Sequence, residues 1–201
     1  VTGDEMVHHT AAVRRTEPES LLVADLPFAQ AHLAKEEVLQ ACTRLIQEGG
    51  AEAVKIEGNS NLEGTLNYLI DAGIPIMGHV GLLPQRVHTL GGYRKFGKTN
   101  EEHDSLLEDA TAMQRAGCFA VIGEMIESKV AAEITNSLII PHIGIGSGPE
   151  CDGQILVSTD MLGFQSKFYP SFVKAYANLE ETILDALRTY GREVEDKIFP
   201  E

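Results

Sequence analysis

Three junctions of one design, EGGAEAVK (48–55), DAGIPIMG (71–78) and RAGCFAVIG (115–123), decide what this chain can become. In each, a glycine closes a helix, because a residue without Cβ enters the left-handed region without strain, and an apolar strand follows at once. Strands that alternate with helices pair in parallel, through βαβ units. Along the chain, Thr2 with Glu5 reads as a capping box, opening a helix that carries Met6, Thr10 and Val13. Strands follow at 21–28, 51–58, 74–82, 119–125, 139–148 and 154–158, and helices at 35–49, 62–72 and 127–138. Another helix is capped by Thr99 with Glu102 as a second capping box. A long loop, rich in Gly and basic residues, spans 84–98. The last helix is expected over 171–198, where Phe172, Tyr176, Leu179, Ile183, Ala186 and Tyr190 recur at spacings of four and three. That seam suits either packing on its own barrel or contact with another subunit.

A doubly wound sheet and a (β/α) barrel both satisfy this order. Polar residues favour the barrel. Asp25, Lys55 with Glu57, His79 and Glu124 fall near the C-terminal ends of four successive strands, where barrel sites are assembled. An open sheet would gather them at one switch point. The expectation is therefore an α/β fold, a (β/α)8 TIM barrel in one domain over 1–201. The six strands would be strands 3–8, with the first two upstream of Val1.

Composition narrows the partners. The chain has 201 residues, 43% of them hydrophobic, enough for one sizeable core. Its formal charge of −14 argues against nucleic acid or an anionic membrane surface as partner. No apolar run reaches the roughly 20 residues that span a bilayer. Cys42, Cys118 and Cys151 lie far apart without a CxxC pair, so they read as reduced packing thiols in a cytoplasmic protein.

Alternation within AEAVKIEG puts Val54 and Ile56 on one face and Lys55 and Glu57 on the other. Both faces of an internal parallel strand are normally apolar, so two charges there either pair with each other or bind something. Asp25 and Glu57 are two carboxylates without a thiolate or His cluster, which suits a hard, oxygen-seeking cation, Mg²⁺ first. Asp25 alone also reads as a turn acceptor. His79 is a ligand, a substrate contact or a satisfied core histidine. Glu124 ends the strand AVIGE among apolar neighbours; burial there would raise its pKa and suit it as a general base. The competing role for Glu124 is an acid at the start of the next helix. IGIGSG has the form of an anion-holding glycine turn. Arg86, His88, Arg94, Lys95 and Lys98 make the long loop basic, either as a solvated lid or as contacts to an anionic substrate tail.

Taken together, DEMVHHTAAVRR, VADLPF, AVKIEG, GIPIMGHVGLLPQ, GGYRKFGKT, IPHIGIGSG and CDGQILV, in this order, resemble the ketopantoate hydroxymethyltransferase (3-methyl-2-oxobutanoate hydroxymethyltransferase) family. The resemblance runs from Val1 almost to Pro200. It implies a (β/α)8 barrel, a homo-oligomer (commonly a decamer), Mg²⁺, and transfer of a one-carbon unit from 5,10-methylenetetrahydrofolate to 3-methyl-2-oxobutanoate, giving 2-dehydropantoate. By motif, Asp25 would ligate Mg²⁺ and touch the keto acid, and Lys55 would bind the substrate carboxylate. Glu57 would hold Mg²⁺, Glu124 would accept the proton and His79 would line the pocket. The family's GDSLGM-like segment, with a further metal-binding Asp and a substrate Ser, would precede Val1. Two other readings stand beside this one: a Mg²⁺-dependent lyase or mutase of 2-oxo acids on a related barrel, and a degenerate non-catalytic subunit kept for assembly.

Overall fold

Two of the three glycine junctions close as Schellman motifs. After the helix that ends at Asp71, Gly73 N–H donates to Ile70 O and Ile74 N–H to Leu69 O. After the one that ends at Arg115, Gly117 N–H donates to Gln114 O and Cys118 N–H to Met113 O. Gly73 and Gly117 sit at φ +89° and +94°, which an L side chain resists. Each junction thus satisfies the last helical carbonyls and sends the chain straight back into the sheet.

The computed structural model describes residues 1–164 and 172–200. The chain divides into two units, Val1–Gln154 and Ile155–Glu201. In the first, α1 (Gly3–Arg14), β1 (Val23–Asp25), α2 (Lys35–Gln47), β2 (Ala53–Glu57), α3 (Glu63–Asp71) and β3 (Ile76–Gly81) come first. After them come α4 (Val87–Leu90), α5 (Asn100–Arg115), β4 (Ala120–Glu124), α6 (Ser128–Ser137), β5 (His142–Ile145) and β6 (Gly153–Gln154). The second unit carries α7 (Ser158–Met161) and α8 (Leu179–Glu195).

All six strands pair in parallel and in sequence order, β1 to β6. A doubly wound sheet would reorder them around a switch point. Sequential parallel order with helical crossovers is the arrangement of a (β/α) barrel, here an arc of six strands.

One face of the arc is apolar and covered by helices. Val54, Ile56, Ile76, Val80 and Val121 belong to one buried cluster with Leu45, Leu66, Leu69, Met113 and Ile134. Alternation then directs Lys55, Glu57, His79 and Glu124 to the other face, the barrel interior. The two opposing charges anticipated on AEAVKIEG do share that face.

Beyond trims of one to three residues at most element ends, three features differ from the sequence reading. The sixth strand, expected over 154–158, is Gly153–Gln154, and Ser158 already begins α7. The loop at 84–98 is interrupted by a 3-10 turn, Pro84–Arg86, and by the single-turn α4. The C-terminal helix, expected from 171, begins at Leu179; Ser171 itself lies outside the described residues. Asn178 explains the later start, because its side chain accepts from Glu181 N–H as an N-cap, while Tyr176 N–H bonds to Met161 O at the end of α7. Phe172 and Tyr176 keep the heptad spacing but stand before the helix. No helix among the described residues is long and apolar enough to cross a membrane.

Candidate active site

Four successive strands each contribute one side chain to a continuous polar row. Asp25 ends β1, Lys55 lies in β2, His79 in β3, and Glu124 ends β4. Lys55 Nζ is 2.8 Å from Asp25 Oδ1 and 3.2 Å from His79 Nδ1. His79 Nε2 is in turn 3.2 Å from Glu124 Oε2.

The row follows from register. Asp25 and Lys55 are direct Cα partners, so their side chains stand level. Lys55 is paired with Met77, two residues before His79, and His79 with Ile122, two residues before Glu124. The row therefore climbs from β2 to β4, as strands tilted in a barrel require. The sequence names all four positions but not this contact order.

Protonation follows from the contacts. A lysine ammonium only donates, so Nδ1 of His79 faces it with a bare lone pair, and the ring proton sits on Nε2, which lies 3.2 Å from Glu124 Oε2 without making a hydrogen bond to it. His79 is 3% exposed, and burial, with Lys55 adding to it, depresses its pKa to about 3. It is neutral throughout the physiological range. Burial also raises the Glu124 carboxyl to about 7; Lys55 opposes this and Asp25 adds to it. A carboxyl near 7 is poised to take up and release a proton at neutral pH. Glu124 is placed in the interior beside His79. The helix-start position belongs to Glu127, the N-cap residue of α6.

Glu57 takes a different path from Lys55. Its Oε2 accepts from the backbone N–H of Gln85 at 3.0 Å, and Gln85 Nε2 donates to Leu26 O at 2.8 Å. Gln85 thereby ties the ends of β1 and β2 to the turn after β3. The sequence reading did not assign it a role, although it closes the quoted GHVGLLPQ stretch and follows Pro84, whose fixed φ starts the turn. Glu57 is buried, and that burial raises its pKa to about 7 against the opposing pull of Lys55 and the Gln85 hydrogen bond. The Lys55–Glu57 ion pair considered from the sequence gives way to Lys55–Asp25, since the level neighbour on β1 offers the shorter reach.

The backbone beside the row is unusual. Met125, next after Glu124, has φ +51°, and Ala29, at the end of the β1 loop, has φ +64°. Each costs on the order of 1–3 kcal/mol, and such strain persists where surrounding structure over-determines it. For Met125 the surroundings are explicit: its N–H donates to Ile145 O and its carbonyl accepts from Phe96 N–H. Gly81 admits this approach, since a Cβ there would collide with the Glu124 carbonyl.

Within the glycine turn IGIGSG, Ser147 has a structural role. Ser147 is 1% exposed; its hydroxyl donates to Gly123 O at 2.7 Å and accepts from Ile126 N–H at 3.0 Å, bracing the end of β4 behind Glu124. Ser147→Ala should orphan a buried N–H and a buried carbonyl, costing about 1–3 kcal/mol, readable as a lowered denaturant midpoint with an unchanged m-value. A midpoint within error of the parent would remove Ser147 from this role. Of the basic loop, Arg94 is consumed: it pairs with Glu102 at 2.7 Å and stacks over Phe96 at 3.9 Å. Glu102 also accepts from Gly97 and Lys98 N–H, so the expected capping box at Thr99 is half-formed, with only Thr99 Oγ1 accepting from Glu102 N–H. Cys42 and Cys118 are buried free thiols and Cys151 a half-buried one, outside the row, as packing thiols should be.

Comparison with known proteins now adds to the geometry. The sequence model of one family, described as ketopantoate hydroxymethyltransferase, matches residues 1–201. The chain belongs to the ketopantoate hydroxymethyltransferase family. It is similar to the 3-methyl-2-oxobutanoate hydroxymethyltransferase of Trichlorobacter lovleyi, 52% identical over 200 residues, covering 100% of this chain and 75% of the relative. Those of Pelobacter propionicus and Heliobacterium modesticaldum are 49% and 48% identical, with 74% and 72% of each relative covered. Among solved structures, a Burkholderia cenocepacia protein described as a lyase/mutase superposes with a TM-score of 0.54 at 15% identity, over 100% of this chain and 69% of that one. That likeness shows the fold alone. Membership in a family of hydroxymethyltransferases makes the polar row the candidate active site of a transferase.

Proposed function

We propose that the row removes the C3 proton of 3-methyl-2-oxobutanoate and that the resulting carbanion equivalent takes a one-carbon unit from 5,10-methylenetetrahydrofolate. The product is 2-dehydropantoate. The observation that carries this is the placement of Glu124: half-buried, raised to about 7, and 3.2 Å from Nε2 of a neutral histidine.

Glu124 takes the proton on C3, and the C–H electron pair moves toward the C2 carbonyl. Water opens the donor's methylene bridge: both C–N bonds break, tetrahydrofolate leaves with the two protons of that water on its nitrogens, and the methylene carbon is presented as formaldehyde; C3 bonds to that carbon, and the alkoxide formed takes back the proton held by Glu124. Water supplies the oxygen of the new hydroxymethyl group. Lys55 lies where a substrate carboxylate would find a cation, at the centre of the row between Asp25 and His79. His79 stands beside the Glu124 carboxylate and remains neutral while the base titrates.

Asp25 and Glu57 are the residues that would hold Mg²⁺. The donor set fits: both groups are hard oxygen donors, and Asp25 Oδ1, although 2.8 Å from the Lys55 ammonium, is buried and makes no hydrogen bond. No group of three or more His, Cys, Asp or Glu among the described residues gathers as a metal site, which matches an ion that keeps waters and substrate oxygens beside one or two carboxylates. When bound, the ion supplies positive charge to the keto acid's oxygens and so acidifies the adjacent C–H.

The test is exchange of the C3 proton in deuterated water, with Mg²⁺ and without donor, followed by product formation when the donor is added. A protein carrying this chain that neither exchanges nor forms 2-dehydropantoate refutes the reading. A second experiment addresses the carboxylates. Asp25→Ala should weaken Mg²⁺ and keto-acid binding together, each by tenfold or more on the scale of about 1.4 kcal/mol per tenfold, measured by titration calorimetry. Unchanged affinity for both would release Asp25 from the metal role.

A further inference from the structure

A cavity of about 510 Å³ opens beside the polar row, bounded by the loops that follow β1, β2 and β3. It shares Glu57 with the site and is lined further by Phe28, Asn59, Asn61, Gln85 and Arg86. Its size is that of a pocket for a small organic ligand. The charges in and around it are unequally committed. Glu57 accepts from Gln85 N–H, and Gln85 is bonded to Leu26. Arg86, by contrast, makes no ion pair among the described residues, and it also lines a second cavity of about 360 Å³ that shares Asn59 with the first. Phe28, 69% exposed, offers an uncovered aromatic face at the rim.

We infer that this cavity seats the one-carbon donor, and that Arg86 receives the donor's acidic tail. The inference rests on the transfer reaction proposed above. Two reactants must meet at C3, and the keto acid occupies the row itself, so the donor needs adjoining room at the same C-terminal end of the sheet. A heterocycle with an anionic tail fits the lining: an aromatic wall, amide side chains for ring hydrogen bonds, and one uncommitted guanidinium further out. Of the five basic residues on the 84–98 loop, Arg86 alone lines the first cavity. Arg94 is already held by Glu102 and Phe96. His88, Lys95 and Lys98 line neither cavity.

The decisive experiment compares Arg86→Ala and Arg86→Lys with the parent, using the full protein that carries this chain. Tetrahydrofolate binding is measured by titration calorimetry, and so is binding of a reduced pterin that lacks the glutamate tail. C3 exchange of the keto acid without donor is recorded in parallel. Arg86→Ala should weaken tetrahydrofolate about tenfold, the scale of one charge-assisted contact. It should leave the tail-less pterin and the exchange rate unchanged, and Arg86→Lys should restore part of the loss. Equal weakening of both pterins would show that Arg86 acts through the shape of the loop and overturn the tail assignment. Unchanged tetrahydrofolate binding, or none in the parent, would overturn the cavity assignment. Parent protein that binds tetrahydrofolate in an Arg86-dependent way but shows no exchange would leave this inference standing while the transfer reading fails.

Discussion

Glu124→Gln should abolish C3 proton exchange while leaving keto-acid binding near the parent value. The amide is isosteric with the carboxylate, so the close approach to His79 and the packing of β4 are undisturbed. What disappears is the only group in the row set to accept a proton near neutrality. His79 is held neutral with Nδ1 turned to Lys55, and Asp25 is bound to that same ammonium. The expected loss is about 10² to 10⁴-fold, the range for removing a positioned base. The pH dependence carries the sign. Glu124 works ionised, so exchange by the parent should rise with pH and level off above about 7, where the carboxyl titrates. The variant should lack that limb. A variant that retains exchange with the same limb would remove Glu124 as the base and point to another group.

The fold was legible because its punctuation is local. A glycine closing a helix and an apolar strand beginning at the next residue are both written within eight residues, and Gly73 and Gly117 close as that pattern predicts. The site residues were legible for a related reason. Charge at the C-terminal end of an otherwise apolar strand is a local anomaly, and Asp25, Lys55, His79 and Glu124 are all of that kind. Their partners were not legible, because partnership depends on register. Lys55 meets Asp25, thirty residues earlier, because the two are level Cα partners, whereas Glu57, two residues away on the same strand, turns to Gln85. Gln85 acts through its backbone N–H as much as its side chain, and a backbone donor leaves no mark on residue type. Ser147 is hidden for the same reason: nothing in a glycine-rich turn marks which backbone groups a serine hydroxyl will meet, yet it braces Gly123 and Ile126. The late start of α8 has a similar origin. Periodicity extends through Phe172 and Tyr176, but the Asn178 cap, not the apolar spacing, sets where the helix begins.

Lys55→Met should shift the whole row, not only one contact. The ammonium lies between Asp25 Oδ1 and His79 Nδ1, and it is the main influence holding the carboxyls of Glu57 and Glu124 down against burial. Methionine keeps the length and removes the charge. The Glu124 pKa should then climb above about 7, so that at neutral pH a smaller fraction is ionised; each unit of climb lowers exchange about tenfold. The acid limb of the exchange profile moves to higher pH, and activity partly recovers there. Keto-acid affinity falls as well, since its carboxylate loses a counter-ion. The direct stability cost should be modest, about 1 kcal/mol, because the Asp25 side chain is 37% exposed and water screens what the lysine leaves behind. Lys55→Arg separates the two roles. It retains positive charge, and so should retain an acid limb near the parent's, but a planar fork does not reproduce a point cation between a carboxylate and an imidazole nitrogen, so keto-acid affinity should still drop. A Lys55→Met profile whose limb stays at the parent's pH, with only affinity reduced, would confine Lys55 to substrate binding and uncouple it from the base at the far end of the row.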